Sequence, residues 1–221
     1  VCCALSGTIN EKARGQNTDW NWAMGAGGQF NDVGTAVAAD LDGNVFMTGF
    51  TKSNSLSFNG ATYMNASYPA DDGFAVKFDA SGNVVWLHGM HGTGWDNSNS
   101  ICTDALGNAY ATGFFWSPTI FFSGPGLEYC SNDGGPDCFI VKYDPAGTVS
   151  WVRCIASGVG TNVSIDVDGD LIVTGNFGSP TLTLGSFTLT QQGGGDVFVA
   201  KYDPDGNVLW ATSMGGSLND G

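Results

Sequence analysis

Asp196-Val197-Phe198-Val199-Ala200-Lys201-Tyr202-Asp203-Pro204-Asp205-Gly206-Asn207-Val208-Leu209-Trp210 decides the fold. Two apolar runs, β-branched and aromatic, flank an Asp-x-x-Gly loop. Residues of that kind, alternating apolar with polar, form strands. The pattern occurs twice more, ending at Trp86 and at Trp151. A second segment alternates with it: Val45-Phe46-Met47-Thr48-Gly49, Ala109-Tyr110-Ala111-Thr112-Gly113 and Leu171-Ile172-Val173-Thr174-Gly175. Trp22, Trp86, Trp151 and Trp210 mark a period of roughly 60 residues, the repeating unit of the fold.

Within the first full unit, strands are expected at 34–41, 45–52, 73–78 and 84–90, with a weaker one at 56–64. No stretch carries a sustained helical stripe. Four or five antiparallel strands cannot bury both faces of their sheet alone. Stacking such sheets around an axis covers them, which predicts an all-β fold, a β-propeller. A β-solenoid is the rival, with shorter rungs and no paired hairpins. The expected layout is a lead-in at 1–19 and propeller repeats at 20–221. The units run roughly 22–85, 86–150 and 151–209, with a further unit begun at 210–221. Three units and a fraction fall short of the about four to eight blades that close a ring. The count therefore predicts that the chain continues past Gly221, or that partner chains complete the stack.

Six loops share the Asp-x-x-Gly form, beginning at Asp40, Asp79, Asp104, Asp144, Asp166 and Asp203. Asp166, Asp168 and Asp170 alternate as calcium-loop ligands do, which makes calcium the candidate cofactor there. In three of the copies Ser81, Leu106 and Ala146 stand where a second ligand would sit. What all six keep is Asp and Gly, which is what a tight turn requires. The turn is the preferred reading, and Asp166–Asp170 the best exception.

The chain has 21 acidic against 7 basic residues, a formal charge of −14. That excludes nucleic acid and anionic membrane as partners, since both need cationic patches. No apolar run reaches the roughly 18 residues that span a bilayer. Cys2, Cys3, Cys102, Cys130, Cys138 and Cys154 show no zinc spacing. Disulfides are the expectation, and with them an oxidising compartment. Cys130 with Cys138 and Cys102 with Cys154 are among the pairings considered.

Lys77, Lys142 and Lys201 recur in one place and are expected to pair with a nearby carboxylate across the sheet. The recurring Trp residues are expected in the packing between units. Function is sought in what does not repeat. His88 and His91 occur once, but three residues apart on a strand they face opposite ways. Trp95, Phe115 and Trp116 are aromatics without counterparts, suited to a sugar or peptide. The 124–137 insertion, with Glu128 and Cys130, is a candidate disulfide-held loop. No nucleophile–base pair, phosphate loop or defensible carboxylate pair is present.

The 196–210 run, with Gly215-Gly216-Ser217-Leu218-Asn219-Asp220 and Asp42-Gly43-Asn44-Val45-Phe46-Met47-Thr48-Gly49-Phe50, resembles the bacterial β-propeller repeat called SBBP. The resemblance covers nearly all of 20–221. It implies a secreted or surface-attached bacterial protein, of the type that gliding bacteria export with a C-terminal sorting domain, which this sequence lacks. The expected function is a non-catalytic extracellular binding, adhesion or structural module. Its expected partner is a surface glycan, a protein or further copies of itself. A carbohydrate-active enzyme using the propeller face and a subunit of a surface filament are the alternatives.

Overall fold

The computed structural model describes residues 22–65, 67–132 and 134–218. Cys2, Cys3 and the 1–19 lead-in lie outside them. All regular structure among the described residues is β. A short strand, β1 (Ala26–Gly27), precedes three like units. Unit 1 is β2 (Asp32–Ala39), β3 (Val45–Thr51), a hairpin of β4 (Ser55–Phe58) and β5 (Ala61–Met64), then β6 (Asp72–Phe78) and β7 (Val84–His91). Unit 2 repeats this with β8 (Asp96–Thr103), β9 (Ala109–Phe115), the hairpin β10 (Thr119–Phe122) and β11 (Glu128–Ser131), β12 (Asp137–Tyr143) and β13 (Val149–Ile155). Unit 3 consists of β14 (Gly158–Ile165), β15 (Leu171–Phe177), the hairpin β16 (Thr181–Leu184) and β17 (Phe187–Thr190), β18 (Asp196–Tyr202) and β19 (Val208–Met214). Four strands of each unit form an antiparallel meander: β2-β3-β6-β7, β8-β9-β12-β13 and β14-β15-β18-β19. The weak strand expected at 56–64 is in fact the hairpin β4–β5, which turns at Asn59 and Gly60, both with positive φ. Counted from Trp to Trp, a unit starts inside the last strand of one sheet and ends in the next.

The six Asp-x-x-Gly loops are six copies of one turn. In each, a carboxylate oxygen of the leading Asp accepts the backbone N–H groups two and four residues on, at 2.8–3.0 Å. The Gly takes φ between 78° and 87°, which other residues adopt only under strain. Four copies add an Asn side chain donating to the second carboxylate oxygen. At Asp166 the corresponding residue is Asp170, which has no such donor. There the Lys201 ammonium takes over, 2.8 Å from Asp166 and 2.9 Å from Asp170. It holds the Asp166 carboxyl below the usual carboxylate range.

Units stack face to face, and the core lies between them. Phe46, Ala75, Trp86 and Met90 of unit 1 meet Ile101, Phe122, Phe139, Val141 and Tyr143 of unit 2. Tyr110, Ile140 and Ile155 of unit 2 meet Val163, Leu184, Phe198 and Tyr202 of unit 3. The recurring lysines pin these interfaces, and here the expectation is corrected. Lys77 donates to the Pro145 carbonyl at 3.1 Å and Lys142 to the Pro204 carbonyl at 3.0 Å, each in a turn of the next unit. Each ammonium also lies over a ring, Phe46 or Tyr110. Of these three, Lys201, in the last described unit, is the one that pairs with carboxylates. Trp86 packs on the same neighbouring turn, stacked on His88 and 5.5 Å from the Tyr143 ring. Burial there pushes the His88 pKa down, so the ring is neutral. His91 lies apart, between Tyr63 and Phe121.

Among the described residues one disulfide joins Cys130 to Cys154, tying β11, the second strand of the unit 2 hairpin, to that unit's outer strand β13. Cys102 and Cys138 are free, which corrects both pairings weighed from sequence. Cys138 is fully buried between sheets, and burial pushes its thiol up to about 12.

Candidate functional site

Subtracting the repeat isolates one position. Just beyond the start of the first strand and the end of the second, each unit brings two residues side by side on a rim. In unit 1 they are Asn31 and Lys52, joined by a Lys52 N–H to Asn31 carbonyl bond of 2.9 Å. In unit 2 they are Trp95 and Trp116, joined the same way at 2.8 Å. Ser157 and Gly178 occupy these places in unit 3. Cross-strand neighbours project to the same side of the ladder. The next pair inward, Asp96 and Phe115, is fully buried, whereas Trp95 is 60% and Trp116 49% exposed. Two large apolar side chains are therefore exposed on residues joined through their backbones, where the other units carry small or polar residues.

Phe115, the third aromatic expected at this site, points the other way into the core between units 1 and 2. Adjacent strand residues face opposite sides, so a ligand on Trp116 does not reach Phe115.

Beneath the rim lies a buried polar layer. Asp96 accepts the Ser117 hydroxyl at 2.6 Å and the Ser117 N–H at 3.2 Å. Its own N–H donates to the Asp71 carbonyl of unit 1 at 2.8 Å. Buried Asp72 takes the Tyr63 hydroxyl at 2.6 Å. Burial, with the nearby Asp72 charge adding to it, pushes Asp96 up to about 7. Asp71 is raised too, chiefly by burial, against the pull of Lys52 at 3.8 Å. Sequence reasoning passed over this layer. Its signal was the repeated pairing of Asp32 with Ser53 and of Asp96 with Ser117. Asp96 and Asp72 are fully enclosed. Their chemistry in this geometry is to fix the rim rather than to meet a substrate.

The other candidate site, Asp166, Asp168 and Asp170, is on the opposite end of its sheet, in the turn already described. Lys201 supplies its positive charge. Among the described residues no three His, Cys, Asp or Glu side chains are arranged to hold a metal ion. No helix among them is long and apolar enough to cross a membrane.

No family model matches this chain. It is 26% identical, over 243 residues and 94% of its length, to an uncharacterised WD repeat-containing protein, L264, of Acanthamoeba polyphaga mimivirus. The chain spans 18% of that protein. Four-stranded antiparallel units stacked through their faces are the architecture of propeller blades. The chain is an all-β repeat protein of the propeller type, a binding or structural module built from units that do not close a ring among the described residues.

Proposed function

We propose that the chain is a non-catalytic, extracellular binding module whose unit 2 rim takes a surface glycan on Trp95 and Trp116. The exposed tryptophan pair carries the reading. Flat indole faces stack on the apolar face of a sugar ring, and the repeat gives no packing reason to keep two of them in water. The disulfide supports an oxidising location. The resemblance to SBBP repeats supports a secreted or surface-attached bacterial protein.

The test is titration of the chain with soluble polysaccharides, followed by tryptophan fluorescence and calorimetry. Trp95→Ala and Trp116→Ala are each expected to weaken binding about tenfold or more, as loss of an anchor aromatic does, with unchanged melting temperature. Binding that survives both changes overturns the site. Product formation abolished by a single Asp or Glu substitution establishes the enzyme reading instead.

A further inference from the structure

We propose that the cleft between units 2 and 3 is a second binding site, which takes an acidic sugar and holds its carboxylate on Arg153.

The cleft arises from a difference between two interfaces that are otherwise alike. Between units 1 and 2, the hairpin of the later unit is zipped onto the outer strand of the earlier one. β10 pairs with β7, Phe121 with His91 and Phe122 with Met90. Ser123 closes the join. Its N–H donates to the Gly89 carbonyl at 2.9 Å, and its hydroxyl oxygen accepts the Gly89 N–H at 2.6 Å. Between units 2 and 3 the join is not made. The β16–β17 hairpin forms a two-stranded sheet of its own. Gly185 stands where Ser123 does and has no hydroxyl to offer. Cys154 takes the place of Gly89, and by that equivalence its N–H and C=O face the gap. A cavity of about 360 Å³ remains between β13, the hairpin and the β18–β19 turn.

Arg153 stands in this cavity where His88 stands in the other interface. Its Nε donates to the Gly206 carbonyl at 2.7 Å, Nη1 to the Val152 carbonyl at 3.0 Å and Nη2 to the Asp205 carbonyl at 2.7 Å. The guanidinium carbon lies 4.9 Å from the centre of the Trp151 ring. Gly206 leaves room for it, since a Cβ there would lie 2.9 Å from Nη2. The guanidinium is thus fixed before any ligand arrives. Two of its five N–H groups remain, one on each terminal nitrogen, which is what a carboxylate takes in a bidentate pair. The chain does not supply that carboxylate. Arg153 makes no ion pair among the described residues, and no acidic residue lines the cavity. The Asp203 carboxylate feels the positive charge but is engaged within its own turn. In a chain of charge −14, an unpaired cation in an acid-free cleft is a place for an anion from outside. Tyr202 adds a second donor. It lines the cavity at 2% exposure, and its hydroxyl has no partner. Burial raises its pKa, so the hydroxyl keeps a proton to donate. A buried hydroxyl left unmet is costly, and a ligand oxygen would meet it.

The walls favour a sugar over a peptide. Thr183 and Ser186 bring hydroxyls and Val208 an apolar surface. β13 and β16 come within 8 Å of each other, Cα to Cα, whereas a peptide strand slotted between them needs about 9–10 Å, two strand spacings. A single ring bearing hydroxyls and a carboxylate suits the space. The cleft shares no residue with the Trp95–Trp116 rim and does not rest on that reading.

Calorimetric titration with trigalacturonate tests the site, with neutral galactotriose as the control. Trigalacturonate is expected to bind at least about tenfold more tightly than the neutral trimer, and less tightly as salt rises. Arg153→Lys keeps the charge but loses the planar fork, and is expected to weaken binding about tenfold. Tyr202→Phe removes only the unpartnered hydroxyl. It is expected to weaken binding several-fold with the melting temperature unchanged or raised, which separates lost binding from lost fold. Equal affinity for the two trimers overturns the proposal, as does binding untouched by both substitutions. A glutamate-bearing peptide that displaces trigalacturonate with equal affinity overturns the assignment to a sugar.

Discussion

At the scale of single residues, Asp96 makes the clearest prediction. An unfolded aspartate titrates near ~3.9, and burial holds folded Asp96 at about 7. The folded state therefore prefers the protonated form. The stabilisation is fully present below about pH 4 and is lost as pH rises through about 7. Asp96→Asn does not ionise but can still bond Ser117. Melted side by side, wild type is expected to lose stability relative to the Asn variant as pH rises from about 4 to 8, by on the order of 2–4 kcal/mol. Parallel curves would mean that Asp96 stays ionised throughout. This residue also shows where sequence reading stops. Trp95, Asp96, Phe115 and Trp116 are two adjacent pairs on two strands. The alternation of faces is legible, but which face meets the core depends on the neighbouring unit. So Phe115 and Trp116 look equal on the page and are opposite in the fold. Lys77 and Lys142 were misread for the same reason. Their acceptors are backbone carbonyls 68 and 62 residues away, in a different sheet.

At the scale of elements, the turns were the most legible part. Asp fixes them by accepting, on its carboxylate, the backbone N–H groups two and four residues on, and Gly supplies the left-handed residue. The structure adds that some turns also seat the next unit. Gly147 and Gly169 separate the two roles, since both have φ of 87°. A Cβ on Gly147 would lie 2.6 Å from His88 Nε2 and 2.8 Å from Trp86 Cγ, but one on Gly169 meets nothing within 4 Å. Gly169→Ala is expected to cost about 1 kcal/mol for backbone strain alone. Gly147→Ala is expected to cost about 3 kcal/mol or more, because the interface must shift as well. Equal losses in chemical denaturation would deny the turn its second role. The hairpin at 56–64 was less legible. Its Asn59-Gly60 is a strong turn signal, yet alternation on both sides let it read as one strand. The disulfide that crosses to β13 closes a separation of 24 residues. Replacing Cys130 and Cys154 by Ser is expected to cost about 3 kcal/mol, and reductant should lower the wild-type melting temperature to match. A melting point indifferent to reductant would count against the bond.

At the scale of the whole molecule, period, unit size and propeller architecture were all readable from the four tryptophans and six loops. The exposure of Val37 and Trp210 was not, because it is a property of what stands beside them. Nor was the rim, where Trp95 and Trp116 meet only after 20 residues of intervening strand and turn. The lysine contact between units has one more consequence. Lys77 and Lys142 grip main-chain oxygens, which every residue type provides, so the grip is blind to the side chains it lands on. Any unit with the turn can accept the grip, so at this contact the lysine asks nothing of its neighbour's sequence, and only the apolar faces between units have to match. Rim positions such as 95 and 116 are then free to diverge one unit at a time, each offering a fresh surface on an unchanged joint.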